Sequence, residues 1–241
     1  MSKSNIESLD LNSNPLPTAQ EKKERSLKDI YCLSGLGADK RVFQKLRFQG
    51  YQPIHIQWLE PESKEDITAY AKRLIPQIKS DSPILIGLSF GGIIAVEIAK
   101  QIPTQKVILI SSIKSKQENP FYFKIWRWFP IHRLLPIRVM LWLSKTLVGW
   151  FFSLQNLDER QLLNEIIIEM NGKLLKWSIN QIVVWRNELV PPNVYQINGD
   201  RDRIFPARFI EENYTIEHGG HLMIMNQAES VSQLIQKIIE T

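Results

Sequence analysis

The chain has 241 residues, 44% hydrophobic and 23% charged, a composition that supports a sizeable core and excludes a disordered, collagenous or coiled-coil protein. Thirty Lys plus Arg against 25 Asp plus Glu give a net charge of +5, and that whole excess falls between Ile113 and Val190, where eleven basic residues face six acidic ones. A single cysteine, Cys32, excludes an internal disulfide and any multi-cysteine metal site.

Residues 1–28 are polar throughout and are predicted to form a disordered arm; they hold no apolar run of the signal-peptide kind, so a cytoplasmic location is expected. The first apolar run, Ile30 to Leu33, predicts a strand with Cys32 as a buried, inert thiol. A second strand is predicted at Ile54 to Leu59. The stripe Ile67, Tyr70, Ala71, Leu74, Ile75 and Ile78 then predicts an amphipathic helix over Lys64 to Lys79. Ile84 to Gly87 reads as a strand, Phe90 to Lys100 as a helix and Lys106 to Ser111 as a strand.

The alternation stops between Ile113 and Val190. Pro120, Pro130 and Pro136 cut this stretch into short pieces, and helix-period patterns follow, so an all-helical insertion is predicted. Asp158 to Met170 is one such helix, with Gly172 as its stop signal, and Lys173 to Arg186 is another. Leu134 to Leu154 is the most apolar stretch, but Pro136, Arg138, Ser144 and Lys145 interrupt it too often for a membrane span. After Pro191 and Pro192 come strands at Val194 to Asn198 and Tyr214 to Glu217, then a helix at Ala228 to Glu240. Strands alternating with helices predict an α/β fold with a mostly parallel sheet of about six strands flanked by helices. The domain reading is an arm over 1–28, a core over 29–112 and 191–241, and a helical insertion over 113–190.

Chemistry is concentrated at the ends of the predicted strands. Gly87-Leu88-Ser89-Phe90-Gly91 follows one strand and opens the next helix, which is the strand-turn-helix setting in which G-x-S-x-G projects a serine hydroxyl outward. The competing reading is a glycine-rich turn with an incidental serine. A serine hydroxyl needs a base, most often histidine. His55 sits mid-strand and His132 between two prolines of the insertion, which leaves His221 as the candidate base and His218 as its alternate in Glu217-His218-Gly219-Gly220-His221. A carboxylate that orients the imidazole can come from Asp200 or Asp202, both in Gly199-Asp200-Arg201-Asp202 after another strand. An oxyanion hole needs two backbone N–H groups, one of them from Phe90, the residue after the serine.

The order Ser89, then an Asp, then a His, with Gly-Leu-Ser-Phe-Gly, Gly-Asp-Arg-Asp-Arg-Ile-Phe-Pro and Gly-Gly-His, resembles the α/β-hydrolase superfamily from about Asp29 to the C-terminus. The resemblance implies a Ser89-Asp202-His221 triad, with Asp200 a loop-capping residue. It assigns the second oxyanion donor to Leu36 in Ser34-Gly35-Leu36-Gly37, where Ser34 stands in the place of the family's usual His. Gly35, Gly37, Gly87 and Gly91 are then the structural turn residues, and no metal or organic cofactor is implied. The family's full sheet has eight strands, so six strands make a trimmed core, and the insertion stands where the family carries its helical cap.

These features lead to a serine hydrolase that cleaves an ester or thioester of a small to medium apolar acyl group through an acyl-enzyme. Two alternatives stay open: a non-hydrolytic lyase on the same fold, and a non-catalytic ligand-binding protein. The first half of the insertion, 113–151, has seven basic residues against Glu118 alone, interleaved with tryptophan and phenylalanine. Its Lys and Arg are either merely solvated or part of a surface that meets anionic membranes. Nucleic acid is not an expected partner, because the basic patch comes with no nucleic-acid module.

Overall fold

A computed structural model describes residues 27–36, 38–129, 135–136, 139, 161, 165, 171–211 and 214–241. Six strands, β1 (Lys28–Leu33), β2 (Tyr51–His55), β3 (Ile84–Leu88), β4 (Lys106–Ile110), β5 (Val194–Gly199) and β6 (Tyr214–Ile216), form one sheet in the order β2-β1-β3-β4-β5-β6. Every pairing is parallel. The inner strands are buried on both faces, which is why they read as unbroken apolar runs. In β1 the side chains alternate between the two layers: Ile30 and Cys32 enter one core, Tyr31 and Leu33 the other. Burial pushes the Cys32 thiol well above its usual range, as befits an inert core residue.

Strand β2 begins earlier than the predicted Ile54 to Leu59. It pairs with β1 from Lys28↔Tyr51 to Cys32↔His55 and includes Pro53. The strand is at the sheet edge, where a missing amide can face outward without breaking a ladder.

Helix α1 (Ile67–Leu74) is shorter than the predicted Lys64 to Lys79. The Asp66 carboxylate accepts from Ala69 N–H at its start, and a tight turn over Ile75–Gln77, holding Pro76, follows its end. Its apolar stripe, Ile67, Tyr70, Ala71 and Leu74, is buried. Helix α2 (Phe90–Ala99) is buried on nearly all sides, as its uniformly apolar sequence requires. Its one charge, Glu97, is 1% exposed and accepts from Trp185 Nε1–H at 2.8 Å, Thr68 Oγ1–H at 2.9 Å and Lys100 Nζ at 2.8 Å. A buried carboxylate satisfied by three donors fastens the chain on its way back to β5 against α1 and α2.

Between β4 and β5 two described helices, α3 (Phe121–Trp128) and α4 (Gly172–Val184), pack on each other. Asn171 caps α4 through the N–H groups of Lys173 and Leu174, and Gly172 is the first residue of this helix. The predicted helix Asp158 to Met170 lies outside the described residues except for Gln161 and Glu165; His132 and the N-terminal arm to Ser26 lie outside them too. On the opposite layer, α5 (Met223–Asn226) and α6 (Ala228–Glu240) bury Met223, Val231, Ile235 and Ile238 against the sheet. Among the described residues no helix is long and apolar enough to cross a membrane.

Candidate active site

Because all six strands run the same way, the segments after β1, β3, β5 and β6 emerge at one edge of the sheet, where ligands bind in open α/β folds. Ser89 follows β3 directly. Its N–H extends the ladder to Ile110 O at 2.9 Å, and its carbonyl accepts from Gly92 N–H at 2.9 Å and Ser112 Oγ–H at 2.6 Å. Held from three sides, Ser89 adopts φ 52° and ψ −119°, a conformation a non-glycine residue keeps only when its surroundings over-determine it. The flanking glycines are sterically required. A Cβ on Gly87 would lie 2.4 Å from Gly92 Cα, and one on Gly91 would lie 2.3 Å from the carbonyl oxygens of Leu33 and Ser34.

The structure brings Ser89, His221 and Asp202 together. His221 Nε2 is 2.9 Å from Ser89 Oγ, and His221 Nδ1 is 2.8 Å from Asp202 Oδ2. The other carboxylate oxygen of Asp202 accepts from the N–H groups of Ile204 at 2.8 Å and Phe205 at 2.9 Å. His221 is 1% exposed and Asp202 3%. With Oδ2 as acceptor, Nδ1 carries the proton and Nε2 presents its lone pair to the serine.

The alternates are placed elsewhere. Asp200 and His218 are exposed, His218 in a turn at φ 58°. His55 lies in β2 against the Phe43 ring, and burial, followed by the charge of Lys40, lowers its pKa. The proximity of β5 to the histidine segment rests on Gly199, whose backbone approaches Gly219 so closely that a Cβ would sit 2.1 Å from its carbonyl oxygen.

The segment after β1 lies against the serine. A Cβ on Gly35 would be 3.4 Å from Ser89 Cβ. Phe90 is the first residue of α2, so its N–H has no intrahelical acceptor, and no backbone acceptor among the described residues takes the N–H of Leu36. Gly37 lies outside the described residues.

Sequence reasoning missed three neighbours. Tyr122, on α3, donates its hydroxyl to Ile204 O at 2.5 Å and so braces the segment whose amides hold Asp202. Burial and then the Asp202 charge push its pKa up to about 12, which keeps it a donor. Trp58 stacks on Phe90, and Trp177 meets Phe90 edge-on. None of these contacts has a local sequence signal; each joins segments distant in the chain. A hollow formed by Glu62, Ser63, Glu65, Ala69, Lys72 and Arg73 holds none of the candidate catalytic residues, and Arg73 is paired there with Glu65 at 2.8 Å. Among the described residues no cluster of His, Cys, Asp or Glu suits a metal ion.

The chain matches no family model and no curated protein sequence. It does superpose on solved structures. A lipase-esterase related protein from Clostridium acetobutylicum aligns over 88% of this chain and 95% of its own, at 16% identity and a TM-score of 0.66. The chain has the α/β-hydrolase fold. The enol-lactonase from Burkholderia xenovorans aligns over 90% of this chain and 92% of its own, at 12% identity and a TM-score of 0.68. A bromoperoxidase from Bacillus anthracis aligns over 90% and 93%, at 16% identity and a TM-score of 0.67. An α/β-hydrolase fold thus supports several chemistries, and the reaction has to be argued from the site.

Proposed function

We propose that the protein is a serine hydrolase that cleaves an ester or thioester of a small to medium apolar acyl group. The observation that carries the reading is the continuous chain Ser89 Oγ, His221 Nε2, His221 Nδ1, Asp202 Oδ2, with both links under 3 Å and the acid and base buried. Ser89 Oγ attacks the acyl carbonyl carbon while its proton passes to His221 Nε2; the proton then goes to the departing alcohol or thiol. Water repeats the sequence on the acyl-enzyme, with His221 again taking and returning a proton. Asp202 fixes the tautomer, and the N–H groups of Phe90 and Leu36 hold the oxyanion. The helices between β4 and β5 act as a cap over this edge; Tyr122 and Trp177 are its contacts with the acid and nucleophile segments.

The test is fluorophosphonate labelling followed by turnover of p-nitrophenyl esters of increasing chain length and of an acyl-thioester. The expected result is stoichiometric labelling at Ser89 and turnover of short and medium chains. A folded protein that labels elsewhere or not at all, or that leaves the whole panel intact, overturns the reading.

The outward face of α3 supports a partner. Phe121, Ile125, Trp128 and Phe129 are 57%, 50%, 76% and 67% exposed at helical spacing, with Lys124 beside them. Apolar anchors flanked by basic residues suit an anionic bilayer surface. The protein is expected to sediment with vesicles containing phosphatidylserine and not with phosphatidylcholine alone. Phe121→Ser with Trp128→Ser should weaken that binding by about tenfold or more. Vesicle binding unchanged by the substitutions, or a concentration-dependent dimer that ignores vesicles, overturns it.

A further inference from the structure

We infer that Trp58 and Ser34 act as a single positioning unit for the oxyanion loop, an inference that rests on the serine-hydrolase reading. The Ser34 hydroxyl is used in both directions. It accepts from Trp58 Nε1–H at 2.8 Å and donates to Ala38 O at 2.6 Å, and Ala38 N–H returns to Gly35 O at 3.0 Å. These bonds bracket Leu36. Ser34 is 4% exposed, so water does not compete for its hydroxyl.

The indole ring that supplies the N–H is itself clamped. It stacks on Phe90 with centroids 5.8 Å apart and on Tyr70 at 6.2 Å. The Tyr70 hydroxyl donates to Leu59 O at 2.7 Å and accepts from Leu59 N–H at 3.1 Å, which fixes the residue next to Trp58. Trp177 closes the cluster on Tyr70 at 4.4 Å. One side chain thus touches the segments carrying both oxyanion donors: its ring face bears on Phe90, and its N–H holds the segment of Leu36. Oxyanion donors work only when preset at hydrogen-bond distance from the place where charge develops, so the spacing of these two segments bears on the barrier rather than on ground-state binding. Ring stacking sets the plane of the indole, while the bond to Ser34 sets the distance to the loop.

Trp58→Phe keeps the stack and removes only the N–H, and Ser34→Ala removes the hydroxyl. Kinetics on p-nitrophenyl butyrate, with kcat taken per fluorophosphonate-titrated site, separate positioning from stability. Each variant is expected to lower kcat about tenfold with KM within about twofold, because the donor is displaced and not deleted. The double variant should lose no more than Ser34→Ala alone, since Ser34→Ala already removes the bond that Trp58→Phe breaks, together with the one to Ala38 O. Ser34→Thr, which keeps the hydroxyl, should recover most of the kcat that Ser34→Ala loses. Either single variant with kcat per titrated site within twofold of wild type, or a double variant that loses about a hundredfold, overturns the inference. A wild-type protein that does not label at Ser89 instead overturns the hydrolase reading, so the two failures are told apart.

Discussion

Asp202→Asn is expected to lower kcat for p-nitrophenyl butyrate by about 10⁴-fold, and Asp200→Asn to leave it within about twofold. The two residues are two positions apart in one segment, so local composition treats them alike. Their surroundings do not. Asp202 is buried, with Oδ2 on His221 Nδ1 and Oδ1 on two backbone amides, and Asp200 is exposed. An amide at 202 can turn an NH₂ toward Nδ1, which then accepts; Nε2 becomes protonated and can no longer take the serine proton. Ser89→Ala should cost at least as much. His221→Ala belongs with these two, whereas His218→Ala should be silent because that ring faces solvent. An Asp200→Asn defect as large as that of Asp202→Asn, or a His218→Ala defect as large as that of His221→Ala, would reassign the acid and base.

Gly199→Ala is expected to destabilise the fold by about 3 kcal/mol, roughly a 10 °C fall in Tm by circular dichroism, and to reduce activity with it. The added Cβ would lie 2.1 Å from Gly219 O and 2.3 Å from Gly219 C, both backbone atoms that no side-chain rotation can move aside. The same approach carries the bond from Arg201 N–H to Gly219 O at 2.9 Å, so the segment bearing Asp202 and the one bearing His221 must separate together. Gly50→Ala is the control. Gly50 sits at φ 77° with nothing within 4 Å of its added Cβ, and strain alone should cost about 1 kcal/mol. Equal losses at the two positions would show that backbone conformation, and not close approach, governs Gly199.

Much of this was legible one residue at a time. The inner strands were visible because a strand covered on both faces is apolar at every position, as in Ile84-Leu85-Ile86 and Val107-Ile108-Leu109-Ile110. Strand β2 was displaced because an edge strand lacks that signal: Tyr51, Gln52 and Pro53 pair with β1 while partly open to solvent. Helix α3 was only implied as part of a helical insertion, since it is eight residues long and buries none of them, so no core-facing stripe marks it.

By itself the sequence determined the order of strands and helices, the turn that exposes Ser89, and the short set of groups able to serve it, because turn chemistry and side-chain periodicity are local properties. The sequence put His221 ahead of His218, and the family resemblance put Asp202 ahead of Asp200; only the tertiary structure buries the pair, links it to Ser89 and leaves the alternates exposed. It also joined Trp58, Ser34 and Phe90 across segments that are far apart in the chain. Those arrangements depend on burial and on distances of about 3 Å, and both exist only once six parallel strands have brought their carboxyl ends to one edge.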